Sequence, residues 1–519
     1  MHPPYAYDYL IIGSGFGGSV SALRLSEKGY KVAVIEQGRE FKSQDFAKTD
    51  WNLRKFLWMP SLGLHGILKC SFLNKVFVLS GCGVGGGSLV YANTLMRPPD
   101  NFFKSPGWPE GKDWKTELQP FYEKASCMMG ANTHPFEGLP EDEILKEIAG
   151  EKNRTHTFKL VKTGVYFGDP DIATYPYFNG EGPLRNGCTG CAGCMTGCRN
   201  NAKNTLDKNY LWFAQKNGTA IFPDTKAIKI RQTKHGYEVK TRKLRNSGLS
   251  ATFSCKNLII SAGVLGTTEL LLKQKFLYYT LPGLPDSIGM NVRTNSQSIS
   301  GLAGADRKLN NGLAITSIIS PAEGMHIEMV KFNDKSGFIT HLGGFAHDSS
   351  HPVKRAFGAI AATLLHPAKF MKLLFDFRWG EHSIVMLVMQ CCDSSMHLKL
   401  RRKWFGYGLN FDKNSGHVPA YIPEGQKILH RFARKVNGTA MNNLTETLLN
   451  KSTTAHIIGG CPPGQNPQNS VVNDKFIIHG FPGLYVLDSS VLPCNLGVNP
   501  SLSILAIAEY AMSLIPEKD

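Results

Sequence analysis

Apolar positions change their period several times along the 519-residue chain, and each change predicts an element. Tyr9 to Ile12 is a short continuous apolar run, the pattern of a buried strand. Ser19 to Lys28 then reads as a helix, with Val20, Ala22, Leu23 and Leu25 available for packing and Gly29 placed to end it. Val32 to Ile35 is a second buried strand, closed by Glu36. Trp51 to Leu79 is dense in large apolar side chains punctuated by Lys and Arg, and reads either as core or as a cover over an apolar pocket. Trp114 to Met129 and Ala202 to Phe213 read as helices, and Ile221 to Arg242 alternates as a strand does. Leu258 to Gly266 repeats the strand–glycine pattern, with Thr267 to Lys273 as its helix. Strands at Ile315–Ile319, His326–Val330 and Ser383–Met389 and a closing helix from Ser503 to Ile515 complete the picture.

Two glycine clusters change what this pattern means. Gly13, Gly15 and Gly18 follow the first strand as G-x-G-x-x-G, open the first helix, and have an acid, Glu36, 18 positions beyond the last glycine. That context is the one a dinucleotide site requires: glycines admit a pyrophosphate close to the backbone, and the helix N-terminus offers free N–H groups and positive dipole. Glu36 is placed to accept from ribose hydroxyls. The second cluster puts five glycines between Gly81 and Gly87, before Ser88-Leu-Val-Tyr-Ala-Asn93. Glycine is costly inside regular elements, so close approach of the backbone to a flat ligand accounts for it better than structure alone.

His351 to Phe375 is basic and apolar at once. Val353, Phe357, Ile360, Leu364, Met371, Leu374 and Phe375 fall at helical spacing, Lys354, Arg355, Lys369 and Lys372 lie between them, and Pro367 divides the stretch. Two readings stand: a surface helix leaning on a membrane, or a core-packed helix with a basic outer face.

Length predicts two or more domains. Lys and Arg number 58 against 41 Asp and Glu, a formal charge of +17, which favours anionic partners. The positive charges are scattered and no glycine/aromatic RNA-binding signature accompanies them, so nucleic acid is not expected; peripheral contact with an anionic membrane, a polyanionic ligand and a merely basic soluble protein are the readings that stand. Met1 to Tyr7 is polar, with no signal-peptide pattern, and no apolar run reaches the roughly 18 residues of a spanning helix, so a cytoplasmic location is expected. Of twelve cysteines, Cys188, Cys191, Cys194 and Cys198 lie together with ferredoxin-like spacing. An iron–sulfur cluster, a zinc ion, or unliganded or redox-active thiols are the readings of this group, and a cluster would give electrons an exit other than oxygen.

The last sixty-odd residues carry the strongest class signal. Ala455-His456-Ile-Ile-Gly459-Gly460-Cys461 is followed by Gly483-Leu-Tyr-Val-Leu-Asp488 and Gly497-Val-Asn499-Pro500. With the N-terminal fingerprint and Gly85-Gly-Gly-Ser-Leu-Val90, this resembles a glucose–methanol–choline (GMC) oxidoreductase, and within that family the cholesterol oxidase-like branch. The resemblance covers the nucleotide-binding part and is weaker between about residues 97 and 180 and between 300 and 450. It implies an α/β fold (α+β overall): a Rossmann-like FAD-binding domain of residues 1–96, 184–295 and 455–519, with a second, sheet-containing substrate-binding domain of residues 97–183 and 296–454 inserted. It implies FAD on Gly13, Gly15, Phe16, Gly17 and Gly18, with Glu36 on the adenosine ribose. Gly86, Gly87 and Asn93 would lie along the isoalloxazine and pyrophosphate, Ala227 by the adenine, and Asp488 by the ribityl or pyrophosphate region. His456 and Asn499 would face the flavin, although the family's histidine block has Pro where this chain has Ile457. The sterol oxidases also carry a glutamate over the substrate, and Glu328 is the nearest equivalent.

The chemistry agrees with these residue types. Histidine titrates close to neutrality, so His456 suits a base or a hydroxyl-orienting donor, and Asn499 supplies a neutral amide. A glutamate in an apolar pocket has a raised pKa and can carry a proton between carbons of a β,γ-unsaturated ketone. The expected reaction is FAD-dependent oxidation of a bulky apolar alcohol, most simply a sterol 3-hydroxyl, with isomerisation to the 4-en-3-one as a second step and oxygen or another acceptor taking the electrons. A sugar or other polar alcohol dehydrogenase of the same family, and a flavin/iron–sulfur electron-transfer protein, are the alternatives.

Overall fold

In the computed structural model, which describes residues 5–245, 250–376, 378–392, 394–404 and 406–519, two seven-stranded sheets organise the chain. Met1 to Pro4, the start of the polar leader, lie outside the described residues. The first sheet runs in the order Ala220–Phe222, Val32–Ile35, Tyr7–Ile12, Thr252–Ile260, Gly236–Lys243 and Thr225–Thr233. Its centre is parallel, with Tyr9 opposite Val32 on one side and Asn257 on the other. Central parallel strands are covered on both faces, which is why Leu10, Ile11, Val34 and Ile259 form continuous apolar runs rather than alternating ones. Strand Thr252–Ile260 divides one edge between two partners. Cys255 faces Tyr237 antiparallel, and Leu258 faces Leu484 of the closing strand Leu484–Val486 in parallel.

Helices Phe16–Glu27 and Ser501–Ser513 pack together on this sheet, so the two ends of the chain share one core. Buried Glu509 joins them, accepting from Arg24 Nε at 2.8 Å, Arg24 Nη2 at 2.9 Å and Tyr210 Oη at 2.8 Å. Helix Trp114–Met128 lies against the closing helix, and Trp108, Trp114, Leu118 and Tyr122 enter the same core.

The second sheet is antiparallel, in the order Gly343–Phe345, Thr439–Asn443, Ser298–Ala303, Ile384–Gln390, Met325–Val330, Ser317–Ile319 and Lys159–Leu160. Helices Pro140–Glu151 and Pro423–Lys435 cover one face through Leu145, Ile148, Leu429 and Phe432. A buried ion pair between Lys331 and Glu141 ties the first of these helices to the end of strand Met325–Val330.

Two expected elements differ. Ile221 to Arg242 is not one strand: it breaks at Pro223-Asp224, where Asp224 has φ +53°, and again at Lys234-His235. The helix expected from Ala202 to Phe213 forms only over Tyr210–Lys216, after a single 3-10 turn at Leu206–Lys208. The side chains of Lys203 and Asn204 are drawn inward to backbone carbonyls, and Asn209 Oδ1 accepts from Tyr210 N at 2.7 Å to start the helix late. The closing helix spans Ser501–Ser513.

Candidate active site

Each glycine of the first fingerprint has its own reason. Gly13 sits at φ +100°, and a Cβ there would lie 2.3 Å from Ser261 O. A Cβ on Gly17 would lie 1.8 Å from Leu487 O, and on Gly18 2.0 Å from Gly13 O, so these two serve helix–sheet packing. A Cβ on Gly15 would meet nothing within 4 Å, because that position opens on the cavity. Helix Phe16–Glu27 begins there with no side-chain cap and no acid in its first turn, leaving its N-terminal donors to a ligand. The second glycine cluster meets the first directly: Gly86, at φ +52°, would put a Cβ 2.6 Å from Gly15 Cα, and Gly87 would put one 3.2 Å from the Phe16 ring.

One cavity of about 630 Å³ runs from this cradle into the space between the two sheets. Its lining includes Gly13, Gly15, Phe16, Gly17, Glu36, Gly86, Gly87, Ala227, His456, Asp488 and Asn499. Gly18 and Glu328 do not line it, and Asn93 lies between the lining residues Ala92 and Thr94.

Glu36 is buried and fully engaged on the protein side. Its Oε2 accepts from Ser14 N at 3.1 Å and Ser14 Oγ at 2.9 Å, and its Oε1 from Gly38 N at 2.8 Å. Burial raises its pKa, and these hydrogen bonds oppose the rise. Asp488 is built alike, with Oδ2 accepting from Gly263 N at 2.9 Å and Thr267 Oγ1 at 2.5 Å, and Oδ1 from Ser490 N at 2.8 Å. It therefore couples the closing strand to the N-terminus of helix Gly263–Phe276.

Deeper in, polar atoms are left unpaired. His456 Nδ1, Asn499 Oδ1, Glu328 Oε1 and both amide atoms of Asn93 are buried with no hydrogen-bond partner. Such groups are costly unless a ligand completes them, and because His456 and Asn499 line the cavity, their free atoms fit a polar, hydrogen-bonding cofactor and substrate. Burial pushes His456 down to about 4, which keeps its imidazole neutral at ordinary pH. Glu328 is fully buried on strand Met325–Val330, and Asn499 Nδ2 donates to its Oε2 at 3.3 Å. Burial pushes this carboxyl up to about 7, against the pull of that hydrogen bond. The fold thus brings together residues 171 positions apart.

The two ends of the cavity differ in character. Lys69, Lys226, Arg242 and Lys273 gather with Glu269 at the Ala227 end, a positive field that sequence reading missed because four separate elements supply it. The other end is lined by Leu302, Ile315, Val330, Phe332, Trp379, Leu387 and Met441. From the Trp51 to Leu79 stretch, Phe56, Leu68, Phe77 and Val78 also reach the cavity wall.

The cysteine group does not meet the expectation placed on it. Among the described residues no three His, Cys, Asp or Glu side chains are grouped as a metal ion requires. Cys191 is exposed, whereas Cys188, Cys194 and Cys198 pack against Val165, Ala202 and Leu313. Cys188 Sγ accepts from Gly190 N and Cys198 Sγ from Ala202 N, each at 3.4 Å. Burial pushes the Cys188 and Cys194 thiols up, Cys194 to about 11, so they stay protonated. As placed, Cys188, Cys191, Cys194 and Cys198 do not fit an iron–sulfur or zinc ligand set. Their loop is held instead by Lys203, fully buried, which donates to Cys194 O at 2.8 Å, Tyr91 O at 2.8 Å and Leu89 O at 3.0 Å. Lys203 thereby steadies the glycine-rich turn Gly86–Leu89.

Comparison with known proteins gives three family-model matches: GMC oxidoreductase over residues 184–276 and again over 417–508, and FAD binding domain over 8–51. The chain is 40% identical over 536 residues to a cholesterol oxidase of Acinetobacter baumannii, spanning 99% of this chain and 95% of that one. It is 42% identical over 534 residues to a cholesterol oxidase of Mycobacterium tuberculosis (strain ATCC 25618 / H37Rv), spanning 99% and 91%. Among solved structures, a pyridoxine 4-oxidase from Mesorbium loti shares the fold, with TM-score 0.63, 15% identity, and 98% and 99% of the two chains covered.

Proposed function

The chain belongs to the GMC oxidoreductase family, in its cholesterol oxidase-like branch, and from that premise we propose that it oxidises the 3-hydroxyl of a sterol. It is an FAD-dependent oxidoreductase acting on CH–OH. One observation carries the substrate reading. A single cavity joins the dinucleotide cradle to His456 and Asn499 and then continues into a wall of Leu302, Phe332, Trp379, Leu387 and Met441. Such a wall stabilises a bulky apolar body by removing it from water and offers few hydrogen bonds to a sugar, which disfavours the polar-alcohol alternative.

FAD, when bound, supplies the hydride acceptor. His456, kept neutral by burial, has a ring nitrogen free to take the hydroxyl proton or to orient it, and Asn499 Oδ1 is free to accept from the same hydroxyl. Glu328 is the proposed base for moving a proton between carbons of the β,γ-unsaturated ketone. Its free Oε1 and raised pKa suit a group that must first take a proton and then return it. Glu36, Ala227 and Asp488 hold the cofactor in this reading, with Gly86, Gly87 and Asn93 along its ring end. Oxygen is the proposed electron acceptor, since the cysteine group offers no other exit. The FAD-binding part is proposed to comprise residues 1–96, 184–295 and 455–519, with 97–183 and 296–454 forming the substrate-binding part. A sterol resides in lipid, so peripheral contact with an anionic membrane belongs to the same proposal.

The test is anaerobic mixing of the holoprotein with a panel of 3-hydroxysterols and sugars while the flavin spectrum is followed. Sterols are expected to bleach the flavin and sugars to leave it oxidised. Bleaching by sugars with none by sterols overturns the reading.

A further inference from the structure

Among the described residues, five side chains of the cavity lining keep a buried polar atom without a hydrogen-bond partner: Gln297 Nε2, Ser300 Oγ, Trp379 Nε1, His456 Nδ1 and Asn499 Oδ1. Ser300 stands opposite Met386 in the second sheet, and Met386 belongs to the cluster covered by helices Pro140–Glu151 and Pro423–Lys435, so the Ser300 side chain is on the helix-covered face. The other four divide between the two ends of the cavity.

Gln297, His456 and Asn499 belong to the dinucleotide end. His456 N donates to Thr454 Oγ1 at 2.9 Å, Thr454 Oγ1 donates to Gln297 Oε1 at 3.1 Å, and Asn499 meets Glu328. The strands then carry the wall away from these groups. Glu328 stands opposite Leu387 and Val330 opposite Val385, about 7 Å further along at the usual strand rise. Phe332 follows the end of strand Met325–Val330, and Trp379 precedes the start of its neighbour Ile384–Gln390, so both lie past this edge, with ring centroids 5.8 Å apart.

Trp379 is therefore a lone hydrogen-bond donor at the apolar end. It is 5% exposed and shares a cluster with Val330, Phe332 and Leu387, hydrocarbon side chains that offer its N–H no acceptor. A buried indole N–H ordinarily finds a partner, and a water held here would need two to four polar neighbours that these side chains do not supply. Leu or Phe would fill such a wall without that cost. The cations of the lining, Lys69, Lys226, Arg242 and Lys273, stand at the Ala227 end, so the acceptor that suits Trp379 is a neutral oxygen and not a carboxylate.

We propose that the substrate is an oxygenated 3-hydroxysteroid, carrying at the end remote from the oxidised hydroxyl a ketone or hydroxyl oxygen that accepts from Trp379 Nε1. This rests on the sterol reading and narrows it. A plain hydrocarbon tail leaves the N–H buried and unpaired, and a site that hydrogen-bonds a substrate oxygen discriminates against the analogue lacking it more strongly than an apolar wall discriminates by size. Trp379 is a specificity residue, remote from the groups that handle the reacting hydroxyl.

The experiment measures anaerobic flavin reduction in the holoprotein with two matched pairs: dehydroepiandrosterone against androst-5-en-3β-ol, which differ by a 17-ketone, and 25-hydroxycholesterol against cholesterol. Wild type is expected to reduce its flavin about tenfold or more efficiently with the oxygenated member of at least one pair. In Trp379→Phe, which lacks the N–H, that ratio should fall to about one whatever happens to the absolute rates. Trp379→Leu lacks the N–H as well and takes its place if Trp379→Phe does not fold. Ratios near one for wild type in both pairs overturn the proposal, as does a ratio that survives in the variant. Flavin bleaching by all four sterols without preference would remove the oxygen recognition and leave the sterol reading standing. Bleaching by none of them would remove both.

Discussion

Glu328 is the residue whose environment makes the sharpest demand. Its ordinary pKa of 4.5 rises to about 7 in the folded protein because burial disfavours the charge. Below pH 4.5 both folded and unfolded chains hold the proton, and no penalty exists. Between 4.5 and 7 the unfolded chain ionises first, so stability falls as pH rises, by about 3 kcal/mol in all. Glu328→Gln removes that penalty. Its melting temperature should match wild type near pH 4 and exceed it by a growing margin up to pH 7, constant above; a margin independent of pH would contradict the assignment. The same variant should accumulate the unisomerised ketone while flavin reduction continues, since Glu328 is the proposed base for the isomerisation alone. His456 makes the opposite demand. His456→Ala should keep bound FAD and its visible spectrum while anaerobic reduction by a sterol slows about 10²- to 10⁴-fold, the usual worth of a positioned proton acceptor. An unchanged reduction rate would remove His456 from the chemistry.

At the scale of elements, the strand–turn–helix at the N-terminus divides its glycines between two tasks. Gly15→Ala should fold with nearly the wild-type apoprotein melting temperature, because its Cβ enters open space at φ −72°, yet lose most FAD affinity. Gly17→Ala should instead lower stability of the apoprotein by about 1–3 kcal/mol or more, since its Cβ would overlap Leu487 O. Thermal melting of both apoproteins, with FAD titration of each, separates the tasks; equal effects would refute the division. Helices show the opposite limit on local reading. The stripe on Pro352–Leu365 was legible as helical spacing, but spacing does not say which way a helix is turned. Arg355 decides that through acceptors at Ser349, Glu446 and Asn450. Likewise Ala202 to Phe213 has helical composition, yet the demand of three buried carbonyls for Lys203 keeps its first half irregular.

For the whole molecule, the cavity is walled by residues from Ile12 to Ile504, so cofactor binding closes contacts across nearly the full chain. Saturating FAD at about 100 times its dissociation constant should stabilise the fold by about 2.7 kcal/mol. A melting curve of stripped protein should therefore move upward with added FAD in one cooperative transition. A shift confined to one of two separate transitions would show that the halves fold independently. The ends of the chain are mutually dependent in the same sense, because Glu509 of the closing helix accepts from Arg24 of the first helix and from Tyr210, and pairs with Lys124 at 3.3 Å. Among the described residues no helix is long and apolar enough to cross a membrane.

What the sequence determined by itself was local or short in range: the strand–glycine–helix cradle with Glu36, the parallel apolar strands, and the terminal blocks carrying His456, Asp488 and Asn499. Glycine spacing and apolar period report backbone conformation, and backbone conformation is set by neighbouring residues. Only the tertiary structure decided that Glu328 meets Asn499, that Lys69, Lys226, Arg242 and Lys273 form one field, that four cysteines at ferredoxin-like spacing are not grouped as a metal ion requires, and that an apolar stripe faces outward. Each of these depends on which atoms are desolvated and which partners arrive from distant segments. Burial and long-range pairing are properties of the packed chain, and no local pattern encodes them.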